Sequence, residues 1–214
     1  MKLRKSGLLV LLTVLGVGSA NAAVIYGSRA AFDGAVGTSL TDDYQAAGYT
    51  GFIGDSAMSA VLGETDYRTT GFTDIMYGDD VACGGCNGSW EMSFTTTSIG
   101  STTGVYGAAF DYANSNALPY VAFVTFGDNS TAEYALSSAP TAFPTTPFFF
   151  GITSDTLIKS IHLGLTAGGA TTDGYFYADN LTISARSGSV PVPASLALLA
   201  LGLAGIRYSR TKTN

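Results

Sequence analysis

The sequence predicts an all-β fold: a single β-sandwich of jelly-roll type with one short N-terminal helix. Runs rich in Val, Ile, Thr, Phe and Tyr recur along the chain, and these residues suit a pleated, half-buried surface. Clusters of Gly, Asn, Asp and Ser separate the runs at short intervals, as turns between strands require. No segment between the chain's two ends holds a long 3.6-residue period, and no unit of 20–50 residues repeats, which argues against a bundle or a solenoid.

Taken in order, the first element is the helix. Ser28 is placed to cap it, Ala31, Phe32, Ala35 and Val36 share one face, and Gly37 stops it. Residues 38–64 are rich in Gly and Ala and carry no clear period. Trp90, Met92 and Phe94 then alternate with Glu91, Ser93 and Thr95, the period-two pattern of a strand with one buried face. Tyr106, Ala108, Phe110 and Tyr112 alternate in the same way with smaller residues. Residues 120–126 and 131–136 flank Gly127-Asp128-Asn129-Ser130, the signature of a hairpin with a four-residue loop. Residues 148–153, 158–166 and 175–183 supply three further strands. The threonines at 95–97 and 102–103 mark a strand end and a loop, with no regular array.

Both ends of the chain are addresses. Lys2, Arg4 and Lys5 precede an apolar run over residues 8–17, and Ala20-Asn21-Ala22 stands before Ala23. A basic start, a short apolar stretch and an A-x-A site predict a secretory signal peptide cut after Ala22, with Ala20, Ala22 and Ala23 forming the cleavage site. The opposite end runs from Val190-Pro191-Val192-Pro193 through an apolar stretch to Arg207, Arg210 and Lys212. Basic residues after an apolar run hold a chain in a membrane with its C-terminus inside. The run from 194 to 206, as a helix, would be only ~20 Å long at ~1.5 Å per residue. A stable span covers ~30 Å, so temporary residence is expected, a permanent anchor being the alternative. The expected organisation is a signal peptide at 1–22, an exported domain at 23–186 and a tail at 187–214.

Without its ends the chain is strongly acidic. Residues 23–186 keep Arg29, Arg68, Lys159 and Arg186 against all 16 acidic residues, a net charge of −12. Such a surface repels phosphate backbones and excludes nucleic acid as a partner. About 160 residues suffice for one domain with a core of its own.

Few residues offer chemistry. Cys83 and Cys86 stand with two residues between them in a Gly-rich loop before a strand. A thiol–disulfide catalyst places this motif at a helix N-terminus, and a structural zinc needs two more ligands where the chain has one histidine. A disulfide staple in an oxidising compartment is the favoured reading. That histidine, His162, shares a strand face with Ser160 and Gly164, opposite Ile161, Leu163 and Leu165, which predicts a surface or rim position. No nucleophile motif accompanies it, so no catalytic triad is expected. Asp79, Asp80, Glu91, Asp111, Glu133 and Asp179 are the carboxylates from which a glycosidase pair could be drawn, but no motif singles one out. Asp79-Asp80, Asp128-Asn129 and Asp179-Asn180 are also hard-oxygen donors suited to calcium, each with an Asx turn as the plainer explanation. No cofactor is required.

The tail resembles the PEP-CTERM sorting signal of Gram-negative bacteria: a proline-rich tetrapeptide, an apolar helix with small residues, and a terminal Arg/Lys cluster. The usual tetrapeptide is Val-Pro-Glu-Pro, and here Val192 stands in the Glu position. The resemblance implies transit through the inner membrane and cutting by an exosortase, a membrane-embedded thiol enzyme that would read Val190, Pro191 and Pro193. The product would reach the outer surface or the extracellular matrix. Residues 28–32, 83–89, 124–128 and 177–181 are similar to segments of sandwich-type exoproteins that carry this tail, which implies a shared sandwich domain and transfers no particular activity.

Two functions follow as expectations. The first is a non-catalytic cell-surface or exopolysaccharide-matrix protein. The second is a lectin-like glycan binder, with calcium for support, that stacks sugars on exposed rings drawn from Tyr44, Tyr49, Tyr67, Tyr77, Tyr106, Tyr175 and Tyr177. A secreted glycoside hydrolase and an ice-binding protein stand further off.

Overall fold

A computed structural model of the chain describes residues 23–49, 51–71, 74–78, 81–83, 89–114, 117–139, 147–170 and 176–188. The signal peptide, Cys86, Asp79, Asp80 and the tail from 189 onward lie outside these residues.

The chain opens with β1 (Val24–Tyr26), α1 (Arg29–Asp33) and β2 (Val36–Asp42). Then come β3 (Phe52–Gly54), α2 (Asp55–Leu62), β4 (Asp66–Thr69), β5 (Asp74–Gly78), β6 (Val81–Cys83) and β7 (Trp90–Ser93). The remainder is β8 (Val105–Asn114), β9 (Val121–Phe126), β10 (Thr131–Ala135), β11 (Phe148–Gly164) and β12 (Phe176–Arg186).

The 17-residue β11 ties the sandwich together. Its first part pairs with β8, from Phe148↔Tyr112 to Thr153↔Gly107, and with β1 on the other side. Its last part pairs with β9, from Ile158↔Phe126 to Gly164↔Val121, and with β7. Between them Leu157 takes a φ of +66° and the register slips between Ile158 and Ser160. A bulge of this kind bends a strand sharply enough to carry it from one sheet into another. The sequence predicts two strands here, and the break falls where the bend lies.

One sheet therefore runs β1–β11–β8–β12, and the far edge of β12 is shared between β2 and the β6–β5–β3 ribbon. The other runs β4–β7–β11–β9–β10. Every pairing is antiparallel, so the fold is the all-β sandwich expected. The inner faces meet through aromatic rings. Trp90 of β7 lies 6.0 Å from Phe176 of β12, Tyr120 lies 4.7 Å from the same Phe176, and Tyr134 of β10 lies 6.0 Å from Phe150. The predicted alternation in β7 is real: Trp90 and Met92 are fully buried, and Glu91 and Ser93 are not.

Two helical expectations need correction. Ser28 does cap α1, its hydroxyl accepting from the Ala31 N–H at 3.4 Å, but the helix ends at Asp33. Ala35 and Val36 leave it because β2 begins at Val36, where the backbone pairs with Arg186 instead. A second helix, α2, occupies part of the unassigned 38–64 stretch. It stops at Gly63, whose φ of +72° is the left-handed cap that glycine adopts without strain. Among the described residues no helix is long and apolar enough to cross a membrane.

Candidate functional site

Strand register assembles a site that no local motif announces. Arg68 of β4 lies opposite Glu91 of β7, which lies opposite His162 of β11. His162 lies opposite Phe123 of β9, and Phe123 opposite Glu133 of β10. These five residues form one unbroken row across the outer face of the five-stranded sheet. Two positions along each strand, on the same face, runs a second row: Asp66, Ser93, Ser160, Thr125 and Thr131. Two hollows flank the Arg68–Glu91 pair. One of about 660 Å³ is lined by Asp55, Ser59, Asp66 and Ser93. The other, about 180 Å³, is lined by Phe123, Glu133, His162 and Gly168.

Glu91 is the electrostatic centre of the row. Its carboxylate accepts from Arg68 Nη2 at 2.8 Å and from Ser160 Oγ at 2.8 Å. Burial works to raise its pKa, but these two bonds and the charge of Arg68 outweigh burial and hold it below the usual range. Glu133 is exposed on the edge strand at the far end of the row. Between the acids, the Phe123 and His162 rings lie side by side, centroids 5.7 Å apart and planes 32° apart. The row thus offers a half-exposed aromatic face with an oxygen acceptor at either side and a line of hydroxyls alongside.

His162 sits on the face the sequence predicts but is only 5 % exposed, not a rim residue. The loop at 165–170 covers it. The Gly168 N–H donates to Nδ1 at 3.1 Å, so Nδ1 is unprotonated and the hydrogen resides on Nε2. Nε2–H donates to Thr70 Oγ1 at 2.9 Å, Thr70 donates to Ser89 Oγ, and Ser89 donates to the Gly169 carbonyl at 3.0 Å. The chain of bonds leaves the loop at Gly168 and returns to it at Gly169.

The other sheet carries a second polar centre on its outer face. Asp179 of β12 pairs with Asp111 of β8. Asn180, at φ +50° in the bulge that follows, directs its side-chain amide to Asp111 at 3.0 Å and to Asp179 at 2.9 Å. Arg29 closes the group on Asp111 at 3.0 Å and on Thr182 Oγ1 at 2.9 Å. Asp179 is pushed up to about 6, first by burial and then by the neighbouring charges of Asp111 and Asp43, against the Asn180 N–H and Arg29.

The remaining candidates are placed as follows. At the suggested calcium donors Asp179 and Asn180, the amide N–H groups of Asn180 occupy the carboxylates where a cation would sit. Asp128 instead makes an Asx turn, taking the Ser130 N–H at 2.9 Å, while Asn129 accepts from the Lys159 ammonium at 2.8 Å. Among the described residues no three His, Cys, Asp or Glu come together to hold a metal. Three of the proposed stacking tyrosines belong to the core: Tyr44, Tyr49 and Tyr67 are at most 6 % exposed. Tyr67 and Tyr49 donate their hydroxyls to Asp42, the former at 3.2 Å, and the Tyr44 N–H does so at 3.0 Å. Tyr106 is half-buried with the Arg186 guanidinium 4.9 Å over its ring, and Tyr177 is half-buried in β12. The Tyr77 side chain and Tyr175 lie outside the described residues. Cys83 ends β6 opposite Tyr177. Glu91 and Glu133 stand three strands apart, roughly 14 Å at ~4.8 Å per strand, well beyond a glycosidase pair.

Comparison with known proteins bears on the tail and the body separately. No curated protein matches the chain. Among solved structures, the body is similar to family 29 carbohydrate-binding modules. An aspartate-to-alanine mutant made to probe ligand recognition is 14% identical with a TM-score of 0.42, over 75% of this chain and 94% of that one. A glutamate-to-arginine mutant is 15% identical with a TM-score of 0.43, over 72% and 96%. A third structure is 16% identical with a TM-score of 0.42, over 74% and 97%. At the other end, the profile of the PEP-CTERM protein-sorting motif matches residues 189–210. The chain carries a C-terminal PEP-CTERM protein-sorting motif, the mark of a protein exported and sorted to the cell surface.

Proposed function

We propose that this exported chain holds an extracellular polysaccharide, without altering it, on the outer face of the β4–β7–β11–β9–β10 sheet. One observation carries the reading: the row Arg68–Glu91–His162–Phe123–Glu133 with hydroxyls beside it. A sugar ring has an apolar C–H face and a rim of hydroxyls. Phe123 supplies a partner for the face, and Glu91, Glu133, Ser93 and Thr125 supply partners for the rim. The carboxylates of the opposite sheet support a non-catalytic role, because Asp111 is tied to Arg29 and Asn180 and both oxygens of Asp179 take N–H groups of Asn180. A matrix protein and a glycan binder are then one molecule seen at two scales.

The sorting events belong to the same proposal. Residues 1–22 leave after Ala22, residues 23–186 form the exported domain, and 187–214 pass through the inner membrane. An exosortase-type enzyme reads Val190, Pro191 and Pro193 there, while Arg207, Arg210 and Lys212 hold the chain in place. Cys83 and Cys86 close a small disulfide outside the cell.

Retention of the purified protein on exopolysaccharide from the producing cells, with and without chelator, tests the reading. The wild type should be retained equally in both buffers. Phe123→Ala and Glu133→Gln should each weaken retention about tenfold while leaving the thermal midpoint within a few degrees, since both side chains reach solvent. An unretained wild type, or two variants that bind as it does, would remove the site from this face.

A further inference from the structure

We propose that His162 latches the 165–170 loop as an end wall of this groove and that acid opens the latch. The consequence for glycan rests on the reading above, whereas the latch itself does not. Gly168 and Ala167 line the 180 Å³ hollow beside Phe123 and Glu133, so the loop's position sets where the groove ends. The loop is held through four bonds that all run one way: Gly168 N–H to His162, His162 to Thr70, Thr70 to Ser89, Ser89 to the Gly169 carbonyl. One proton reverses the first of them. When Nδ1 is protonated, two N–H donors face each other across 3.1 Å and the loop loses its attachment at Gly168, leaving only the Ser89 bond at Gly169 from this chain of bonds.

The charges around the imidazole set the range. Glu91 of β7 favours the proton, Arg68 of β4 opposes it, and Glu133 of β10 faces the same hollow. Phe123 of β9 and residues 165–170 bring no charge. Burial is the largest influence and moves His162 below its ordinary 6.5. The folded state therefore favours the neutral ring, the latch is whole above ~6.5, and it is lost as pH falls through the lower folded value.

Amide hydrogen exchange followed by NMR, with His162 titrated through its own ring resonances, decides the matter without any glycan present. The protection factor of Gly168, corrected for intrinsic exchange, should fall about five- to tenfold with the midpoint of His162, the equivalent of one lost hydrogen bond. In His162→Asn, whose side-chain carbonyl offers Gly168 an acceptor that does not titrate, protection should stay flat. Wild-type protection that ignores the titration of His162, or an equal fall in His162→Asn, overturns the latch. Retention on the producer's exopolysaccharide is measured over the same pH range. A parallel loss supports the end-wall role; a latch that opens while retention holds overturns that role and leaves the glycan face standing.

Discussion

Two carboxylates on opposite faces of this sandwich show how surroundings divide like groups. Glu91 is half-buried yet held low, because Ser160 and Arg68 stabilise its charge against the cost of burial. Asp179 is driven up to about 6, because burial and the charges of Asp111 and Asp43 outweigh the Asn180 N–H and the Arg29 charge. Folding thus raises Asp179 from its ordinary 3.8, and the folded protein keeps a proton that the unfolded chain has released. The stability linked to this proton is fully present below ~3.8 and is lost as pH rises through about 6. Asp179→Asn stays neutral throughout, so it should raise the urea midpoint clearly at pH 7.5 and little at pH 4. Equal gains at both values would show that the charge is not the cause. Residue by residue, the face of His162 was legible from its neighbours Ile161 and Leu163. Its burial was not, since the loop that covers it is fixed by Thr70 and Ser89, far away in the chain.

The elements are held by close approach as much as by pairing. α1 has five residues, too few to persist alone, and it survives because Phe32 is fully buried against the first sheet. That sheet is notched to receive it. A β-carbon at Gly151 would lie 3.0 Å from Phe32 and 2.8 Å from Phe149, and one at Gly107 would lie 3.1 Å from Phe32 and 2.4 Å from Ser184. Gly151→Ala should cost ~1–3 kcal/mol by overpacking, and Phe32→Ala ~3–5 kcal/mol by leaving a cavity. In the double variant the added methyl finds part of its room, so the two losses should sum to less than their separate values. Full additivity in urea unfolding would mean that the ring and the notch do not meet. Local signals found the Ser28 cap, the β9–β10 hairpin and the β7 alternation, since each depends on adjacent residues. They missed α2, whose Ala- and Ser-rich turns have little periodicity and whose Asp55 is secured by Thr69 of β4.

For the whole molecule, the sorting tail makes the sharpest expectation. Mass spectrometry of the surface protein, run without reduction, should find Ala23 at the N-terminus, nothing beyond about Pro193, and a mass two hydrogens light for a Cys83–Cys86 bond. A Pro191→Ala, Pro193→Ala pair should accumulate uncut at the inner membrane. Recovery of residues 207–214 on exported protein, or two free thiols, would contradict the corresponding step. By itself the sequence determined the all-β class, the strands from β7 to β12 and the sorting motif, because these rest on periodicity, turn chemistry and the order of charge and apolar residues over short spans. Only tertiary structure decided the site. Arg68, Glu91, Phe123, Glu133 and His162 come from five strands, and nothing near any of them in sequence distinguishes it. Strand register, set by which face must be buried, brings them into one row. The same burial took Tyr44, Tyr49 and Tyr67 away from the surface, because Asp42 points inward and needs donors that only the core could provide.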